Sequence, residues 1–207
     1  VWNIAIQESS ATQASLLTNL SPLWVGIISY VFLKIKPATN FWIGTTVALF
    51  GMAMLVGFKF FLELDFDNAF MLAVLSGIFY SIYLLVSKKA LSQIDVLSFM
   101  TISLLASSIY LTIACLLMNE PFTGFTDMGW FVLLLQAVVC QLMAWLSISF
   151  ATQHMRPTRV SLSLLAQAVI TALLAWVFLD EKITINMVIG GLILLIGIRI
   201  TFYTKTL

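Results

Sequence analysis

The chain has 207 residues, of which 61% are hydrophobic and 9% charged, with a formal net charge of +1 and a mean hydropathy of +1.07. This composition excludes an ordinary soluble domain, because helices this apolar keep no polar face to meet water. A net charge so close to zero also gives no electrostatic case for nucleic acid as a partner.

Taken in order, Val1–Gln7 read as the tail of one apolar span, and seven complete spans follow. Each has the about 17–25 apolar residues that a bilayer crossing needs. They are Ala14–Leu33, Phe41–Phe58, Ala69–Val86, Leu97–Met118, Trp130–Phe150, Val160–Leu179 and Met187–Tyr203. Pro22 and Gly51 fall inside spans, where lipid-spanning helices tolerate them. Cys115 and Cys140 also lie within spans and read as packing residues, with no bearing on compartment.

The connections sort by charge. One set, with the C-terminal end, carries Lys34, Lys36, Lys88, Lys89, Arg156, Arg159, Arg199 and Lys205, and the other carries only Lys59 and Lys182. The positive-inside bias makes the first set cytoplasmic, and the C-terminus with it. Glu8, Glu63, Asp65, Asp67, Glu120, Asp127, Asp180 and Glu181 fall on the opposite side, with Asp95 alone inside. Acidic residues do not set topology, so this agreement is a consistency check.

The stretch Ala14–Gly51 recurs as Val160–Gly197 at a constant offset of 146, with identities at Ser15/Ser161, Val31/Val177, Phe32/Phe178, Lys36/Lys182, Asn40/Asn186, Gly44/Gly190 and Gly51/Gly197. Five crossings separate equivalent points, and an odd number reverses direction. The expected fold is therefore all-α and polytopic, with two halves inverted in the membrane, as in many alternating-access carriers. If the second half begins near Ala69, its counterpart begins about 75–80 residues before Val1, so the repeat predicts sequence upstream of this chain.

The segments "ASLLTNLSPLWVGIISYVFLKIKPATNFWIGTTVALFGMAML" and "VSLSLLAQAVITALLAWVFLDEKITINMVIGGLILLIGI" resemble the closing two helices of the EamA repeat, from the ten-helix branch of the drug/metabolite transporter superfamily. An apolar helix ending in Phe-Leu before a charged turn, then a helix with glycines seven apart, carries the resemblance. It implies two five-helix repeats. Residues 1–58 would be the end of the first (helix 3 end, 4 and 5), 59–68 an extracytoplasmic linker, and 69–207 the second (helices 6–10). It further implies a carrier of small organic metabolites such as amino acids, most simply an exporter, in the cell (inner) membrane. One departure stands out: Lys34–Ile35–Lys36 occupies the turn where the second half has Asp180–Glu181–Lys182.

A path for a polar solute must replace part of its lost hydration, so amides deep in the spans are the candidate contacts. These are Asn19, Gln136, Gln141 and Gln167, with Tyr80 and Trp145 as walls. Ser15, Asn19, Pro22 and Gly26 share a stripe, and Pro22 removes one helical hydrogen bond. Gln136, Cys140 and Ser147 form one stripe of their span, while Gln141, Trp145 and Ser149 form its neighbour. The competing reading for every amide is ordinary interhelical bonding. Gly44, Gly51, Gly190 and Gly197 are expected to serve close helix packing, and Pro22 to kink its helix.

No span carries Asp or Glu near its centre, so no proton-coupling carboxylate is evident. An intramembrane enzyme is the first alternative. It is disfavoured by the lack of His-Glu-x-x-His, of paired intramembrane aspartates, and of any histidine besides His154. A non-transporting membrane subunit is the other. No cofactor or metal is expected; the expected partners are a small-molecule solute and the lipid bilayer, and a homo-oligomer is compatible with the reading.

Overall fold

The computed structural model describes residues 17–57, 68–118, 123–180 and 182–203, except the side chains of Ala69 and Leu179. All regular structure among them is helical: α1 (Ser21–Val31), α2 (Thr39–Val56), α3 (Asn68–Ala90), α4 (Val96–Met118), α5 (Asp127–Leu135), a π-helix (Gln136–Met143), α6 (Ala144–His154), α7 (Pro157–Ser163), α8 (Ala166–Leu179) and α9 (Ile185–Phe202). Six stretches are long and apolar enough to cross a membrane: 39–56, 70–90, 96–118, 127–154, 157–178 and 185–202. The first expected span is described only from Leu17, its helix covers Ser21–Val31, and the tail Val1–Gln7 lies outside the described residues.

Local chemistry explains the helix starts. The Thr126 hydroxyl accepts from Gly129 N at 3.1 Å, with Asp127 in the first turn, and the Thr184 hydroxyl accepts from Met187 N at 3.3 Å. Each satisfies one of the donors that a helix start leaves open. Asp95 does the same for α4, accepting from Ser98 N at 3.0 Å and from its hydroxyl at 2.7 Å.

Two compact units emerge, Val1–Leu85 with Arg156–Leu207, and Val86–Met155. In the first, α2 lies against α9 along its whole length, and the two have the same bounds under the offset of 146. A Cβ on Gly44 would lie 2.6 Å from Gly197 O, and one on Gly197 would lie 2.7 Å from Gly44 O. Gly51 and Gly190 reciprocate in the same way, at 2.6 and 2.7 Å. Rising numbers on α2 thus meet falling numbers on α9, so the pair is antiparallel. Only glycine lets backbones come this close, which is how lipid-embedded helices gain dispersion contact without a hydrophobic driving force. Ala48, Met52, Leu162, Leu165 and Leu194 form the buried cluster beside the pair.

The spans that lead into α1 and α8 are both broken. Turns at 19–20 and 164–165 interrupt them, one residue apart under the offset. Backbone bonds tighten there to the three-residue type, as in Leu20 N to Leu17 O (3.2 Å), Leu165 N to Leu162 O (3.1 Å) and Gln167 N to Leu164 O (3.1 Å). Pro22, which has no N–H, accounts for the first break. The second has neither Pro nor Gly and differs from the continuous span expected from the sequence. Past each helix, Lys34 (φ 55°) and Asp180 (φ 53°) take the left-handed conformation, again 146 apart.

In the second unit, α4 packs on α6, where the Ser149 hydroxyl lies 3.3 Å from Met100 Sδ. Lys88 Nζ donates to Gln153 O at 2.8 Å and Gln153 Nε2 donates to Leu91 O at 3.1 Å, which ties the end of α3 to the end of α6. Met100 is the only buried residue of α4, and α5 has none. Leu97, Ile102, Leu105, Leu116 and Leu117 instead present exposed apolar surface. That distribution suits hydrocarbon as the surrounding solvent.

Candidate functional site

The broken helices meet at a pair of amides. Gln167 Nε2 donates to Asn19 Oδ1 at 2.8 Å, across 148 residues of chain. Asn19 stands in the first break and Gln167 two residues past the second. α1, beyond the first break, packs on α7, which precedes the second. The two spans therefore meet where each has lost its regular helical bonding.

In the same stripe Pro22 and Gly26 are buried, and Ser15 lies outside the described residues. Pro22 is fully enclosed, and a Cβ on Gly26 would lie 2.6 Å from the Phe41 ring. On α3, Ala73, Gly77, Ser81 and Leu84 form the buried face. The Ser81 hydroxyl lies 2.7 Å from Gly77 O and 3.0 Å from Ser21 O, so its single proton serves one carbonyl at a time. Tyr80 is half-buried beside that face, its ring stacked on Tyr83 with centroids 6.5 Å apart.

In the second unit, Gln136 and Gln141 are both exposed and both lie in the π-helix, with Trp145 half-buried in the first turn of α6. A π-helix closes its turns between residues five apart, so Gln136 and Gln141 stand one above the other. Read with α-helical geometry, the sequence put them on neighbouring stripes. The π-helix changes that assignment and leaves Cys140 beside both amides.

Three side-chain polar atoms, Trp24 Nε1 in α1, Thr45 Oγ1 in α2 and Ser87 Oγ in α3, are buried with no hydrogen-bond partner among the described residues. An unpaired buried donor costs about 1–3 kcal/mol, so each would gain from a bound polar group or water. Nothing in a sequence marks such atoms, because their partners are decided by packing. A groove of about 170 Å³ between α8 and α9 is lined only by apolar residues, among them Val169, Leu173, Met187 and Leu195, and offers nothing to a polar solute. The described residues contain no cluster of His, Cys, Asp or Glu that would hold a metal.

Comparison with known proteins agrees with this architecture. The model of the EamA-like transporter family matches residues 1–57 and 68–203. The chain is 22% identical over 207 residues to "Uncharacterized transporter YoaV" of Bacillus subtilis (strain 168), covering 99% of this chain and 70% of that protein. It is 19% identical over 203 residues to "Uncharacterized transporter YdfC" of the same organism, covering 97% of this chain and 65% of that protein. It thus spans about two thirds of the length of these relatives. A chain in a solved crystal structure shares the fold, with a TM-score of 0.79 at 16% identity, over 96% of this chain and 69% of that one. The chain is a multi-pass membrane protein, not an enzyme, and it belongs to the EamA-like transporter family.

Proposed function

We propose that the protein carries small, polar organic solutes such as amino acids across the cell membrane, by alternating access between two inverted repeats, and that it works as an exporter. The observation that carries this reading is the meeting of two broken spans at the Asn19–Gln167 pair. Interrupted helices that place polar groups at mid-membrane are the usual material of a carrier site.

The inverted arrangement draws support from the reciprocal packing of α2 on α9. Contacting positions such as Gly44/Gly197 and Gly51/Gly190 sum to a constant, while equivalent positions differ by 146. Both relations hold together when a two-fold axis passes near Val47–Ala48 and Ile193–Leu194. An axis relating antiparallel helices in this way inverts one half relative to the other. Charge asymmetry supports a cytoplasmic C-terminus.

The test is uptake of radiolabelled L-amino acids into proteoliposomes that contain the purified protein. Saturable, stereoselective uptake, stimulated by the same solute preloaded inside, is the expected result. Uptake linear in concentration would indicate a channel, and uptake no faster than empty vesicles for every amino acid would oppose the amino-acid assignment.

A further inference from the structure

Between Leu17 and Leu33, and between Val160 and Leu179, there is no Asp, Glu, Lys, Arg or His. The polar side chains at the meeting of the two breaks are uncharged amides, joined to each other at 2.8 Å. Asn19 is half-buried and Gln167 exposed, both within apolar spans where hydrocarbon offers an amide no partner, so in the absence of anything else these two satisfy each other. Breaks with tightened backbone bonds are also where a helix bends most readily.

We propose that Asn19 and Gln167 form a clamp whose empty state is their mutual hydrogen bond. In the occupied state an uncharged group of the solute that both donates and accepts, such as a hydroxyl or a carboxamide, takes the place of that bond while α1 and α8 swing about their breaks. Neither span supplies a countercharge, so the charged groups of the same solute, such as the ammonium and carboxylate of an amino acid, are met outside this clamp. This rests on the carrier reading above and adds to it the chemistry of the bound group and the element that moves.

The clamp is tested without any solute by removing the bond. Nitroxide labels go on Ile27→Cys and Ile170→Cys, which are 40% and 57% exposed on α1 and α8, in protein carrying Cys115→Ser and Cys140→Ser. Pulsed electron–electron distances are then measured in lipid nanodiscs. Asn19→Leu and Gln167→Leu should each shift the population to a second separation, and the double variant should shift no further than either single. Gln167→Met, which keeps the length of the side chain and loses only the amide, should reproduce the shift and so exclude a packing defect. A native distance distribution in all four variants overturns the proposal. Shifted distances with an unchanged apparent affinity for a transported amino acid overturn the solute role of the clamp and leave the carrier reading intact. Absence of saturable uptake in the native protein would instead count against the carrier reading, which the distance measurement does not depend on.

Discussion

At the scale of single residues, the glycines separate by what faces them. A methyl group on Gly190 would lie 2.7 Å from Gly51 O, whereas one on its neighbour Gly191 would meet only Val169 and Leu55 side chains at 3.6–3.8 Å. Gly190→Ala should therefore force α2 and α9 apart and cost about 1–3 kcal/mol. Gly191→Ala should be neutral or stabilising by about 0.5–1 kcal/mol, since alanine is the better helix former. Reversible unfolding in mixed micelles measures both, and equal effects would show that the close approach does not limit packing. The sequence makes the glycine spacing visible. It does not reveal which glycines face a backbone, because Gly190 and Gly191 are adjacent and alike until the partner helix is in place.

At the scale of elements, Asp95 caps α4 through Ser98, and the bonds from the Ser98 backbone and then its hydroxyl hold the carboxyl below its ordinary value of 3.8. A lowered folded value means that the cap stabilises α4 at neutral pH. That stabilisation fades as pH falls below about 4 and is gone once pH drops below the folded value. Asp95→Asn, still a good capping residue, should unfold with the same midpoint at pH 7 and lose this acid-dependent component. A midpoint that falls equally in both proteins between pH 5 and 3 would assign acid sensitivity to other groups. Helix existence was legible in the apolar runs, and α2 and α9 share their bounds under the offset of 146. The break at Leu164–Leu165 was not legible, since no proline or glycine marks it. Only the repeat, carrying the Pro22 break forward by 146, points there. The π-helix was hidden for a related reason: Gln136–Met143 has no composition that separates a five-residue turn from a four-residue one, so the amides were assigned to two stripes.

At the scale of the whole molecule, the basic residues divide eight to two between alternate connections. Orientation then follows from the energetics of insertion rather than from packing. Cysteines placed at Lys88 or Lys36 in a cysteine-free background should resist an impermeant thiol reagent in intact cells and react after the membrane is opened. A cysteine at Glu63, whose position rests on the sequence alone, should react from outside. The reverse pattern would invert the topology. Family and membrane class were legible early because a doubled, apolar pattern at fixed spacing survives wide sequence change. The sequence offers the candidate solute site only as four separate amides; the Asn19–Gln167 bond required the three-dimensional meeting of two spans 148 residues apart.

The most direct measurement is the apparent affinity for transported amino acids when Asn19, Gln136, Gln141 and Gln167 are each replaced by leucine and reconstituted separately. Leucine inserts more favourably than either amide, so membrane insertion should be preserved. Losing a hydrogen bond of about 0.5–1.5 kcal/mol to the solute should weaken apparent affinity by roughly 2- to 12-fold at each contacting position. The prediction is that Asn19→Leu and Gln167→Leu fall in that range, with normal amounts of folded protein. Unchanged affinity and selectivity in all four variants would contradict the account, because the amides would then serve only to hold helices together.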